Sequence, residues 1–123
     1  MAPNDPSGRQ VSLRRLDDIF GSNRPLMITI DVEGYEERVV RGANELLACN
    51  CLKVIELATV TPEIETILPH HDFERAYYDP FNRSLTAMPN GLPSSNAVFV
   101  GDWNFVAARL AAAPVVCVLG KSI

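Results

Sequence analysis

The chain has 123 residues, 47% of them apolar, and a formal net charge of -4. That length suits one domain with a packed core, which excludes disorder throughout. The acidic balance leaves no basic stripe to neutralise a run of phosphates, which excludes a general nucleic-acid binder.

Residues 1–9 are rich in proline, glycine, asparagine and aspartate, leave little to bury, and read as a flexible leader. They hold no apolar segment of the kind a secretory signal needs, so the expected location is cytoplasmic. Residues 10–114 are expected to form the domain and 115–123 a C-terminal tail. Val11, Leu13 and Leu16 alternate as in a short strand, and Leu16-Asp17-Asp18-Ile19-Phe20 makes one or two helical turns ending at Gly21.

Leu26-Met27-Ile28-Thr29-Ile30 is uncharged and predicts a strand covered on both faces, as in a parallel sheet. Asp31 follows at its carboxyl end, the rim where ligands sit in open α/β sheets. Gly34 permits a tight turn, and Glu33, Glu36 and Glu37 put negative charge where a helix dipole favours it. Tyr35, Val39, Val40, Ala43, Leu46 and Leu47 recur at helical spacing, predicting one amphipathic helix whose outer face carries Glu36, Glu37, Arg41 and Glu45. Gly42 costs about 1 kcal/mol in a helix interior relative to alanine, so it marks a close approach to a neighbouring element.

Leu52 to Leu57 reads as a second strand, parallel to the first through a right-handed crossover, with Glu56 inside its apolar run. Thr61 caps the next helix, Pro62 opens it, Ile64, Ile67 and Leu68 are its buried stripe, and Pro69 ends it. His70, His71 and Asp72 follow, as a metal-recruiting group or a solvated loop. Phe73 to Asp79 and Ala97 to Val100 are predicted as third and fourth strands, joined by a connection long enough to be a functional loop. Trp103 to Ala112 is the predicted last helix, and Val115 to Leu119 a short strand or a packed tail. Phe105 to Leu119 contains Arg109 and Pro114 and falls short of the roughly 20 residues a bilayer span takes, so no membrane partner is expected. Cys49, Cys51 and Cys117 form neither an even framework nor a zinc spacing and read as reduced and structural.

Several of these pieces taken together, in order and spacing, resemble the FkbM family of S-adenosylmethionine-dependent methyltransferases. They are Leu16-Asp17-Asp18-Ile19, Ile30-Asp31-Val32-Glu33-Gly34-Tyr35-Glu36, Arg41-Gly42-Ala43, Val54-Ile55-Glu56, Tyr78 to Leu85, and Asn96 to Val100. The resemblance implies an α/β, partial Rossmann-like class I methyltransferase fold: a mostly parallel sheet with a C-terminal antiparallel strand and helices on its faces. It also implies transfer of a methyl group from S-adenosylmethionine to a hydroxyl oxygen of a small molecule or sugar. One departure stands out. The glycine-rich turn and the ribose-holding acid of the family's first strands have no counterpart here, because Gly8 and Gly21, the only glycines before Asp31, neither follow an apolar strand nor open a long helix. The chain thus resembles the C-terminal half of the family's domain, and Thr29 stands where the family commonly has lysine.

In such a domain Asp31 and Glu33 are the candidate bases, and Asp31 can also contact the cofactor or hold a divalent cation. The plainer alternative is that Glu33 and Glu36 cap the helix and Asp31 accepts backbone hydrogen bonds. Glu56 either lines the acceptor pocket or pairs with Arg83. Tyr78, Asn82 and Arg83 are candidate contacts to the acceptor or to its anionic groups. A non-catalytic remnant or interaction module of the same fold is the competing functional reading. With the family's first strand missing, one edge of the Leu26 to Ile30 strand is expected to be bare. Either Val11 to Leu16 pairs with it, or two copies join as a homodimer with a continuous sheet.

Overall fold

A computed structural model describes residues 6–92, 96–119 and 121–122. Its main sheet has five strands, β1 (Met27–Ile30), β2 (Val54–Leu57), β3 (Glu74–Asp79), β4 (Ser84–Thr86) and β5 (Ala97–Val100), in the order β1-β2-β5-β3-β4. The helices are α1 (Leu16–Phe20), α2 (Glu36–Arg41), α3 (Asn44–Ala48), α4 (Pro62–His70) and α5 (Trp103–Ala112). A separate two-stranded ribbon, β6 (Cys117–Val118) with β7 (Lys121–Ser122), occupies the tail.

The sheet is mixed, which corrects the expectation of a mostly parallel one. β1 and β2 pair in parallel, whereas β5 lies antiparallel between β2 and β3, and β4 is antiparallel to β3. The cause is connectivity. A short turn after β3 makes a hairpin with β4, and the longer return, with no crossover helix among its described residues, places β5 beside β3 running backwards. β5 is the antiparallel C-terminal strand that the resemblance implies.

Register sorts the side chains. Ile28, Ile55, Phe99 and Arg75 form one cross-strand row, and Ile30, Leu57 and Ala97 the next, on the same face. Against that face pack Val40, Ala43, Leu46, Leu47, Ile64 and Leu68 from α2 to α4, completing the core. The opposite face carries the row Thr29, Glu56, Val98 and Ala76. There Ala76 and Val100 are buried, but Met27 and Thr29 of β1 are exposed. The expectation that β1 is covered on both faces therefore fails, since every strand neighbour it has lies on one side and helices cover one face.

The single helix expected across residues 35–47 is two. Gly42 closes α2, its N–H donating to the carbonyls of Arg38 and Val39 while the Ala43 N–H donates to that of Val40. A Cβ added at Gly42 would lie 3.4 Å from Arg15 Cβ, so the anticipated close approach is that of the chain entering α1. Asp17 then caps α3 from a distance in sequence: its carboxylate accepts from Glu45 N–H at 3.0 Å and Leu46 N–H at 2.9 Å. α4 runs one residue past Pro69. A proline in the last turn is tolerated because the end tightens, with His71 N–H bonding Leu68 O and Asp72 N–H bonding Pro69 O.

Residues 11–15 form no strand: Val11 and Leu13 are 73% and 92% exposed. Two apolar side chains in alternation were too few to compete for a place on the sheet. The proposed pairing of Val11 to Leu16 with β1 is thus absent. Of the leader, residues 1–5 lie outside the described residues. The three cysteines are free, Cys51 and Cys117 exposed and Cys49 half-buried. No helix among the described residues is long and apolar enough to cross a membrane.

Candidate functional site

Because β5 is antiparallel to both β2 and β3, strands β1, β2 and β3 point the same way and their carboxyl ends share a rim. At that rim the chain leaves β1 at Asp31, leaves β2 at Ala58 and leaves β3 at Pro80, and it enters β5 from Asn96. The Ala58 N–H donates to Ile30 O at 3.0 Å, so the exits of β1 and β2 lie side by side.

Glu36 shapes the loop after β1. The sequence placed it on the outer face of a helix, yet it is 1% exposed, and its carboxylate accepts from Gly34 N–H at 2.9 Å and Val32 N–H at 3.3 Å. Glu33 and Gly34 both have positive φ, 49° and 97°, which turns the backbone so that these amides converge. Hydrogen bonds from the N–H groups of Glu36 itself, then of Val32, Gly34 and Glu33, hold the Glu36 carboxyl below its usual range, against the opposing effect of burial. Asp31 and Glu33 remain exposed at the rim, and no side-chain hydrogen bond or ion pair joins Asp31 to another described residue.

A lowered carboxyl pKa in the folded state contributes stability that is complete above the unfolded-state value and is lost as pH falls through the folded one. Asp79 and Asp102 shift the same way, Asp79 through the Asn82 side chain foremost and Asp102 through the Phe105 N–H and then Lys53. The melting temperature is therefore expected to drop as pH falls below about 4. Glu36→Gln should flatten that acid limb, measured by thermal denaturation across pH.

A cavity of about 650 Å³ opens at this rim. Its lining comes from the end of β2 (Glu56, Ala58, Val60), from β3 and its exit (Arg75, Ala76, Tyr77, Tyr78, Pro80), from the start of β5 (Asn96, Ala97, Val98), and from Asn90 and Leu92 of the long connection. Glu56 does not pair with Arg83. Its Oε1 accepts from Asn96 Nδ2 at 2.7 Å. Asn96 is a cavity residue that the sequence did not single out as a candidate; it stood there only as the first residue of the Asn96 to Val100 segment that carries the resemblance, immediately before β5.

The other sequence candidates separate. Glu56 and Tyr78 line the cavity, whereas Asp31 and Glu33 stand on the β1 side of the same rim, outside its lining. Asn82 is engaged in the turn after β3: its Nδ2 donates to Asp79 Oδ2 at 2.6 Å, and Asp79 Oδ1 accepts from Phe81 N–H at 2.9 Å. The Arg83 guanidinium donates to the Ala113 carbonyl and so clamps the end of α5. Among the described residues no three His, Cys, Asp or Glu side chains are grouped to hold a metal ion, around Asp31 or around His70 and His71.

The family model described as Methyltransferase FkbM domain matches residues 3–85. The chain belongs to the FkbM methyltransferase family. No curated protein and no solved structure matches it. The FkbM match takes in Asp31, Glu33, Glu56, Tyr78, Asn82 and Arg83 and ends within β4, so Asn96 and the central strand β5 lie beyond it. The donor implied by the FkbM family is S-adenosylmethionine. β1 is an outermost strand, and Gly21 caps a five-residue helix instead of bridging a strand to a helix. Among the described residues there is thus a rim cavity but no glycine-rich strand-to-helix turn of the kind that cradles a nucleoside.

Proposed function

We propose that this chain furnishes the acceptor-binding side of an FkbM methyltransferase whose reaction passes a methyl group from S-adenosylmethionine to a hydroxyl oxygen of a small molecule or sugar. The observation that carries this reading is the rim cavity containing Glu56 in its hydrogen bond to Asn96, with Asp31 free on the adjoining strand exit. Glu56 is fixed through one carboxylate oxygen, so the other is available to accept from an acceptor hydroxyl, and Tyr78 offers an aromatic wall and a phenolic donor. Asp31 is a solvated carboxylate able to take the proton that the hydroxyl must lose. Glu33 shares that role through its place in the same loop. Asn82 and Arg83 act on the acceptor indirectly in this reading, by fixing the turn that carries the cavity wall.

A second reading, a non-catalytic interaction module of the same fold, is favoured by the missing cradle. One measurement separates them. With Asp31 as a contact to the donor as well, millimolar S-adenosylmethionine or its demethylated product raises the melting temperature of the chain under the first reading and leaves it unchanged under the second. Where methyl transfer to a hydroxyl is detected, Asp31→Asn is expected to lower kcat by about 100-fold or more. Glu56→Gln, which keeps the Asn96 contact but loses the charge, should act mainly on KM. Equal loss from a substitution on the far face of α5 would remove the basis for both assignments.

A further inference from the structure

We infer that β1 is a dimerisation edge, along which two copies of this chain pair β1 to β1, antiparallel about a two-fold axis, to make one continuous sheet. The inference rests on the edge itself and not on the methyltransferase reading.

Backbone geometry comes first. The carbonyls of Leu26 and Ile30 accept from the N–H groups of Val54 and Ala58 on the β2 side. The period of two along a strand then turns the N–H and C=O groups of Met27 and Thr29 outward, away from β2, where no described strand meets them. A two-fold pairing centred on Ile28 sets Met27 of each copy opposite Thr29 of the other. That is a hydrogen-bonded pair in antiparallel geometry, so all four outward groups of each copy find partners.

The side chains agree. Edges that stay single carry lysine, proline, a bulge or a short polar strand. The opposite edge of this sheet follows that pattern: β4 is three residues, Ser84–Thr86, with α5 against it. β1, at four residues, is also short, but Met27–Ile30 holds no lysine or proline and only one polar residue, Thr29. Leu26, Met27, Val32 and Tyr35, just before, in and after β1, are large apolar side chains left exposed, which a second copy laid along the strand would cover.

Charge selects the antiparallel sense and the identity of the partner. Arg24 precedes β1, while Asp31 and Glu33 follow it. Antiparallel pairing brings each Arg24 alongside the acidic loop of the other copy, and parallel pairing would set like charges together. Arg24 is also poorly satisfied within its own chain. Its side chain is a quarter exposed, and within the chain its Nη2 lies 4.0 Å from Glu45 Oε2, at the limit of an ion pair, so swinging outward to the acids of a second copy gives up little.

The test is the mass of the chain in solution by light scattering after gel filtration, combined with hydrogen exchange. The expected result is a dimer with slow exchange at the Met27 and Thr29 amides, and a melting temperature that rises with protein concentration. Thr29→Lys should yield a monomer with unchanged far-UV dichroism and fast exchange at Met27. Arg24→Glu should weaken the dimer without shifting the spectrum. A monomer at high micromolar concentration with both amides exchanging fast would overturn the inference. So would a dimer that survives Thr29→Lys, or a monomer whose edge closes only on a strand from a different polypeptide.

Discussion

Phe99→Ala is expected to destabilise the domain by about 3–5 kcal/mol, enough to leave much of the chain unfolded at physiological temperature. Phe99 is 2% exposed and lies in β5, the middle strand of five, between Ile55 of β2 and Arg75 of β3. It is one of the largest wholly enclosed side chains, and its ring also carries the Arg75 guanidinium 5.5 Å from its centroid. Truncation would leave a cavity in the central strand, where both halves of the sheet meet. Urea unfolding followed by circular dichroism should show the midpoint falling with little change in slope. Phe99→Leu, which keeps most of the volume, should retain more than half of the lost stability. The position lies outside the segment matched by the FkbM family, so the strand that holds this sheet together is one that a reading confined to the matched residues would leave out.

Asp17→Ala is expected to cost about 2 kcal/mol, the upper end of what helix caps contribute. The carboxylate is largely buried and satisfies two N–H groups at the start of α3, on residues 28 and 29 positions away. Without it those amides stay unpaired, and of the ties between α1 and the start of α3 only the backbone bond from residue 17 N–H to Gly42 O, at 3.2 Å, remains. Asp17→Asn keeps an acceptor and should recover about half of the loss. Asp18→Ala is the control. Asp18 is exposed and paired with Arg15 at 3.0 Å, so thermal denaturation should find it within about 0.5 kcal/mol of the parent.

Much of the site was legible because its residues sit where local pattern changes. Asp31 ends an apolar run, and a carboxylate at that point falls on the rim whichever strands lie beside it. Glu56 was conspicuous as a charge inside an apolar strand. Its partner was not, because Asn96 is 40 residues away and the alternative, Arg83, had the opposite charge. Attraction of charge was a poorer guide than register, which brings the start of β5 onto the end of β2 and sends Arg83 toward α5. Glu36 was misplaced for a related reason. Helical periodicity put it on the polar face, but it belongs to the turn before the helix is fully formed, and the converging amides of residues 32 and 34 make burial of a carboxylate favourable there.

The sequence by itself determined the alternation of strands and helices, the family, and the acidic exit from β1, because each of these depends on residues near one another in the chain. Tertiary structure alone decided that β5 inserts backwards between β2 and β3, that Gly42 splits a helix so that Asp17 can cap its second half, and that β1 is left at an edge. Those outcomes turn on which distant surfaces meet, and hydrophobic period, being the same for a central strand as for an outer one, carries no record of the neighbour.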